Sequence, residues 1–184
     1  MIIVVGASAS GKTELAKILY EKFGYKKCIT TTTRCPRINE VDGIAYHFVT
    51  KSQFEKLLKA DQFVEVTAYH DQMYGLQKKD VIENGIVIVD PNGANHLTEK
   101  LDLNAYVVVV EADEATRRAR MLARGDEVQK IEERLYIDTG FYDFEKFTKI
   151  NLKIKNENEP LEKLSKIIHD SYQVYLTSTF NKNK

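Results

Sequence analysis

Hydrophobic residues occur in short uninterrupted runs along the chain. Three of them, Ile2–Val5, Ile86–Val89 and Tyr106–Val110, consist almost wholly of β-branched residues. Uniformly apolar runs of this length are typical of strands that are buried on both faces, as in parallel sheets. A fourth segment over Asn151–Ile154 predicts a further strand.

Helical patterns alternate with these runs. After the first run, Leu15, Ile18 and Leu19 share one helical face, and Gly24 predicts the end of that helix. Further helices are predicted from a capping box over Ser52–Glu55, from Asp113 to about Arg124, over Val128–Ile137 and from Pro160 onward. Strands separated by helices predict an α/β fold with a parallel sheet. Residues 30–80 are polar and turn-rich, so we expect an insertion there.

Composition narrows the possible classes of protein. The 184 residues suit one compact domain, and 27 basic residues balance 27 acidic ones. A neutral chain lacks the basic surface of a general nucleic-acid or membrane-surface binder. No apolar run is long enough to span a bilayer, and no secretory leader pattern is visible. We therefore expect a cytoplasmic protein, monomeric or homodimeric, with Cys28 and Cys35 reduced.

The loop between the first strand and the first helix has the pattern G-x-x-x-x-G-K-T. Such a loop cradles phosphate oxygens with its backbone N–H groups, and the positive end of the helix dipole adds to the attraction. Lys12 is expected to reach the β- and γ-phosphates, and the Thr13 hydroxyl to bind Mg²⁺. The predicted nucleoside triphosphate site comprises Gly6, Ala7, Ser8, Ala9, Ser10, Gly11, Lys12 and Thr13.

Two arginines flank a proline farther along the chain. Arg34 and Arg37 lie on either side of Pro36. Guanidinium groups form bidentate, charge-assisted hydrogen bonds to phosphate, each contributing about 1.5–3 kcal/mol. Thr30 and Tyr46 can add hydroxyl donors. The spacing predicts a second site, for a phosphate monoester; the alternative is an exposed loop with ordinary surface arginines.

Together these motifs resemble those of the guanylate kinases. Residues 32–49 match the family pattern T-T-R-x-P-R-x-x-E-x-x-G-x-x-Y-x-F-V. Further matches are Glu65 after Phe63-Val64, the pair Tyr74-Gly75, Asp90 with Gly93, and the lid arginines Arg120, Arg124 and Arg134. The resemblance covers most of residues 2–137. It implies a P-loop NTPase-type parallel sheet flanked by helices, with an inserted GMP-binding subdomain and a helical lid.

The resemblance also implies boundaries and an activity. One guanylate-kinase-like domain would fill residues 1–184, with a core at 1–29, 81–115 and 146–184, an insert at about 30–80 and a lid at about 116–145. The activity would be in-line transfer of the ATP γ-phosphoryl group to GMP, and also to dGMP, with Mg²⁺ as cofactor. The partners would be these small molecules, with no nucleic acid and no membrane.

Roles for individual residues follow from the same resemblance. Glu65 would accept hydrogen bonds from the guanine N1–H and exocyclic amine, with Asp90 close to that edge. The GMP-binding set is Thr30, Arg34, Arg37, Glu40, Tyr46, Glu65, Tyr74 and Asp90. The catalytic set is Lys12, Arg34, Arg37, Arg120, Arg124 and Arg134.

Three positions depart from the family pattern. Leu76 replaces a Ser or Thr whose hydroxyl bonds guanine O6, Ile88 stands where an acidic residue is common, and Ala9 replaces a P-loop glycine. Because of Leu76, a kinase for another nucleoside monophosphate or a sugar phosphate remains an alternative. A non-catalytic guanylate-kinase-like binding domain is another. We interpret Arg117 and Arg118 as the solvated face of a helix.

Overall fold

A computed structural model describes residues 1–69, 71–101, 105–141 and 144–182. The described chain contains both helices and strands. In order they are β1 (Ile2–Val5), α1 (Lys12–Phe23), β2 (Lys26–Lys27), β3 (Thr30–Thr32), β4 (His47–Phe48), α2 (Lys51–Lys59), β5 (Phe63–Tyr69), β6 (Gln72–Gln77), β7 (Gly85–Ile88), α3 (Pro91–Leu101), β8 (Tyr106–Glu111), α4 (Glu114–Ala123), α5 (Val128–Phe141), β9 (Leu152–Lys155) and α6 (Leu161–Lys182).

The main sheet has five parallel strands in the order β2-β7-β1-β8-β9. The side chains of β1 are all buried because helices cover both faces of the sheet. Ile2 and Val4 belong to an apolar cluster with α1 and α6, whereas Ile3 and Val5 belong to a second cluster with α3. The predicted α/β fold with a parallel sheet is confirmed.

Residues 30–77 carry a second sheet, with four strands in the order β4-β3-β6-β5. Strand β6 runs antiparallel to both of its neighbours. The side chain of Leu76 on β6 is fully buried and lies in the same apolar cluster as Ile3, Val87 and Leu97. This leucine therefore ties the second sheet to the main one.

The local signals for helix ends are mostly confirmed. Gly24 ends α1 in a left-handed conformation with φ 73°, and the Asp113 carboxylate caps α4 by accepting the Thr116 N–H. The predicted capping box at Ser52–Glu55 is wrong, because the box is formed by Thr50 and Gln53. The same residue pattern occurs at both places two residues apart, and the hydrogen bonds select the earlier one.

Helices α4 and α5 lie side by side over the P-loop. Met121, Ile131 and Leu135 form a small apolar cluster between them, and Ala9 of the P-loop packs against it. Residues 142 and 143 of the expected lid lie outside the described residues. In the part of the chain that the structure describes, no helix is long and apolar enough to cross a membrane.

Candidate active site

The loop after β1 turns tightly into α1, and two glycines permit the turn. A Cβ atom on Gly6 would meet the carbonyl oxygen of Val110 and lie 2.6 Å from Ser10 Oγ. Gly11 has φ 98°, and a Cβ there would collide with the Asn156 amide. Since α1 begins directly afterwards, its unpaired N–H groups face the loop. The predicted strand, glycine-containing turn and helix are all present.

Lys12 is folded back onto this loop. Its ammonium donates hydrogen bonds to the carbonyl oxygens of Gly6 and Ala7, at 2.6 and 2.8 Å. Burial lowers the pKa of Lys12 to about 8, and Asp138 opposes this shift while Arg117 adds to it. The lysine is thus held beside the loop in a place where an anionic ligand would stabilise its charged form.

A cleft of about 780 Å³ opens in front of the loop, between the second sheet and helices α4 and α5. Most of the predicted site residues line it. They are Ser8, Ala9, Lys12, Thr13, Thr30, Arg34, Arg37, Tyr46, Glu65, Tyr74, Asp90, Arg124 and Arg134. Side chains from well-separated segments therefore meet in one cleft, as the motifs predict. Further lining residues that the sequence did not single out include Thr67, Tyr69, Gln72, Lys130 and Glu133.

The arginine loop is held by an internal ion pair. Arg34 Nη2 donates to both carboxylate oxygens of Glu40 at 2.9 Å, and Glu40 also accepts the backbone N–H of Arg37 at 2.8 Å. Burial opposes ionisation of Glu40, but these hydrogen bonds hold its pKa below the usual value. Glu40 does not line the cleft. It fixes the loop that carries the two arginines.

Positive charge is concentrated where the arginine loop faces helices α4 and α5 and the turn between them. Burial lowers the pKa of Arg37, and the neighbouring guanidinium groups of Arg34, Arg134 and Arg124 lower it further. Cations held close together at one cleft repel one another, and an anion placed between them relieves that repulsion. The region is therefore suited to phosphate groups.

The far end of the cleft carries a buried carboxylate. Glu65 is only 4% exposed, and its Oε1 accepts the backbone N–H of Leu76 at 2.8 Å. Its Oε2 has no hydrogen-bond partner among the described residues. Burial, together with the nearby Asp90, raises the pKa of Glu65 to about 7, although the hydrogen bond from the Leu76 N–H opposes the shift. A buried acceptor without a partner is a place for a donor from a ligand.

Asp90 and Gly93 complete this end of the cleft. Asp90 accepts the Gly93 N–H at 2.9 Å, and burial raises its pKa although the Thr67 side chain opposes the shift. A Cβ on Gly93 would lie 3.0 Å from Glu65 Oε2. A side chain at position 93 would crowd the Glu65 carboxylate, and glycine avoids this contact.

The three departures from the family pattern lie in different surroundings. Leu76 does not line the cleft, because its side chain fills the apolar cluster under α3. Ile88 does line the cleft and adds no oxygen ligand there. Ala9 has φ 60°, a left-handed conformation that is uncommon for a residue with a side chain.

The lid arginines divide into two groups. Arg124 and Arg134 line the cleft, and both donate to the same oxygen of Asp126, at 2.5 and 2.7 Å. Arg120 does not line the cleft and instead donates to the carbonyl oxygens of Ala9 and Asn156. Arg120 therefore braces the P-loop.

The interpretation of Arg117 as solvated is wrong. Its side chain is buried, and Nη1 donates to Asp138, which is only 2% exposed, at 2.9 Å. One signal was available, because Arg117 lies one helical turn before Met121, which is fully buried on the same face. Its acidic partner, on a different helix, is not indicated by the spacing.

The oxygen ligands that the cleft offers near the P-loop are compatible with a magnesium ion that arrives bound to a substrate. Thr13 contributes a hydroxyl to the cleft next to Lys12. Among the described residues, no group of three His, Cys, Asp or Glu side chains is close enough to hold a metal. Mg²⁺ characteristically keeps several waters and binds substrate phosphates with few protein ligands, so a single hydroxyl suits it.

Comparison with known proteins gives consistent results. The profile of the guanylate kinase family matches residues 1–171. A guanylate kinase from Helicobacter pylori is 34% identical over 176 residues, covering 91% of this chain and 84% of that protein. One from Clostridium perfringens is 32% identical over 134 residues, covering 69% of this chain. The matched part of the chain spans only 62% of the length of that relative.

A solved structure agrees in fold. The crystal structure of guanylate kinase from Anaplasma phagocytophilum superposes with a TM-score of 0.71 over 94% of this chain and 85% of that one, at 21% identity. At this identity the likeness concerns the fold alone. With the match of the family profile along nearly the whole chain, it follows that the chain belongs to the guanylate kinase family.

Proposed function

We propose that this protein catalyses the ATP-dependent phosphorylation of GMP, and of dGMP, to the diphosphate. The observation that carries the proposal is that Glu65, in the same cleft as the P-loop, has one buried oxygen with no partner among the residues that the structure describes. Guanine presents two adjacent donors, N1–H and the exocyclic amine, which suit an ionised carboxylate. Adenine has no such pair. Arg34 and Arg37 lie in this cleft and are suited to the phosphate of the nucleotide.

The chemistry requires positioning and charge stabilisation rather than a general base. The acceptor phosphate of GMP is already ionised, so no proton has to be removed before attack. Lys12 is assigned to the donor phosphates, and Arg34 and Arg37 to the acceptor. Arg124 and Arg134 are assigned to the transferring group, where they would also exclude water. Arg120 is assigned an indirect role, through the P-loop.

Mg²⁺ is the proposed cofactor. When bound, it would neutralise charge on the ATP phosphates. From this chain, the Thr13 hydroxyl is the assigned ligand, since it lies in the cleft at the start of α1. Mg²⁺ dependence of turnover, with loss of affinity for the metal–nucleotide complex in Thr13→Val, is the expected behaviour.

A substrate panel tests the proposed activity. ADP release from ATP is measured with GMP, dGMP, AMP, UMP and a ribose phosphate as acceptors. We expect GMP and dGMP to be used far better than the others. Equal or better use of AMP, UMP or the ribose phosphate would instead support the alternative kinase. Binding of MgATP and GMP without any turnover would support a non-catalytic domain.

A further inference from the structure

A single buried carboxylate joins three parts of the molecule behind the cleft. Asp138 of α5 accepts hydrogen bonds from the Ser8 backbone N–H, from Arg117 of α4 and from the Tyr69 hydroxyl of β5, all at 2.9 Å. The hydroxyl groups of Tyr69 and Ser8 are themselves 3.2 Å apart. The P-loop, the lid helices and the second sheet thus meet at one side chain.

Asp138 does not line the cleft, whereas Ser8 and Tyr69 do. The carboxylate therefore cannot act on a substrate directly from this position, but it can act through the two residues it holds. Ser8 belongs to the loop whose N–H groups are suited to ATP phosphates. Hydrogen bonds to a charged acceptor are stronger than neutral ones, so Asp138 fixes this part of the loop firmly.

Tyr69 connects the same carboxylate to the acceptor end of the cleft. Glu65, Thr67 and Tyr69 all line the cleft, and they occupy alternate positions of β5. Movement of the strand that carries Glu65 therefore moves the Tyr69 hydroxyl relative to Asp138. Arg117 anchors the carboxylate, because its buried guanidinium donates a hydrogen bond to Asp138 at 2.9 Å.

We propose that Asp138, held by Arg117, is a positioning residue that couples the two substrate sites through Ser8 and Tyr69. Occupation of the acceptor end places β5, and through Tyr69 and Asp138 the Ser8 end of the P-loop, in the arrangement that binds the triphosphate. GMP and MgATP therefore increase each other's affinity by the same factor. This inference rests on the proposed function.

Binding measurements test the coupling independently of turnover. A non-hydrolysable ATP analogue with Mg²⁺ is titrated calorimetrically into the protein with and without saturating GMP. For the unmodified chain we expect GMP to tighten analogue binding by roughly five-fold or more. Tyr69→Phe removes one hydroxyl and should reduce that factor to below about two-fold. Tyr136→Phe, an exposed tyrosine of the same helix as Asp138, is the matched control and should retain the full factor.

A second variant addresses Asp138 itself. Asp138→Asn keeps the shape of the side chain but loses the charge, so the coupling factor should fall as in Tyr69→Phe. If Asp138→Asn does not fold, the coupling factor of Tyr69→Phe alone tests the proposal. Unchanged coupling in Tyr69→Phe, or no coupling in the unmodified chain although both nucleotides bind, would overturn the inference alone. Failure of the unmodified chain to bind GMP would overturn the proposed function, and this inference with it.

Discussion

The two ends of the cleft are built in different ways. The end assigned to the ATP phosphates, the donor end, is one continuous segment, residues 6–13, which leads directly into α1. The acceptor end is assembled from side chains on β3, β5, β6 and the two loops that carry Arg34 and Asp90. A local motif suffices for the first, whereas the second depends on how the inserted sheet packs on the core.

Electrostatics differ between the ends as well. At the phosphate side, cations such as Arg37 lie near other cations, and their mutual repulsion favours an anionic ligand. At the far side, Glu65 is buried, one of its oxygens has no hydrogen-bond partner within the described part of the chain, and its carboxylate is costly to ionise. Under the proposed function, the first region would select for negative charge on the ligand, and the second would select for hydrogen-bond donors. Variants at each end should therefore fail in different ways.

The largest loss is expected at the donor end. Lys12→Ala should lower kcat by about 100- to 1000-fold, because the cation assigned to the donor phosphates is removed. Coupled measurement of ADP release with GMP as acceptor checks this. Lys17→Ala, an exposed lysine of the same helix, is the matched control and should behave as the unmodified chain does. Unimpaired turnover in Lys12→Ala would contradict the donor role.

Removal of the acceptor arginine should have a somewhat smaller effect, confined to the other end. Arg34→Ala should lower kcat/KM for GMP by about 100-fold, since it removes charge-assisted bonds to phosphate. Affinity for MgATP, measured by calorimetry, should change little. Arg118→Ala provides the control, at a half-exposed arginine of α4 that pairs with Glu114 and Glu132 and does not line the cleft. A large loss of ATP affinity in Arg34→Ala would contradict the assignment of Arg34 to the acceptor end alone.

The affinity for GMP is expected to change by about ten-fold with pH. With the pKa of Glu65 near 7, the carboxyl is mostly protonated at pH 6 and mostly ionised at pH 8. Only the ionised form can accept both guanine donors, so affinity for GMP should rise by about ten-fold over this interval. The GMP phosphate titrates in part of the same range. In Glu65→Gln, the pH dependence that comes from the GMP phosphate is retained, and the pH dependence that comes from the Glu65 carboxyl is lost. Comparing GMP titrations of the two proteins at each pH therefore isolates the effect of the carboxyl.

The smallest effect on turnover is expected at Leu76, where the second sheet packs against the main sheet. Leu76→Ser should lower the free energy of unfolding by about 2–5 kcal/mol, because it leaves a cavity and buries a hydroxyl in an apolar cluster. Thermal or denaturant unfolding measures this loss. Leu58→Ser, at an exposed leucine of α2, should cost far less. A gain in preference for GMP over AMP without loss of stability would show that the new hydroxyl reaches the base.

Local signals were sufficient for much of this molecule. The buried strands, the P-loop, the end of α1 at Gly24 and the cap at Asp113 follow from a few neighbouring residues each. The arginine fork could also be predicted, since Arg34 and Arg37 are close in sequence. The capping box of α2 could not be placed by pattern alone, because Thr50 and Ser52 each begin an acceptable one.

Sequence by itself thus determined the fold class, the turn between β1 and α1 and the chemical types of residue that face the cleft. Only the tertiary structure decided which side chains are buried instead of lying on the surface or lining the cleft. Leu76 fills the core, Glu40 holds Arg34, and Arg117 pairs with Asp138 from another helix. The physical reason is that the partner of a buried or charged side chain lies on a distant segment, and the spacing of residues within one segment does not identify that partner.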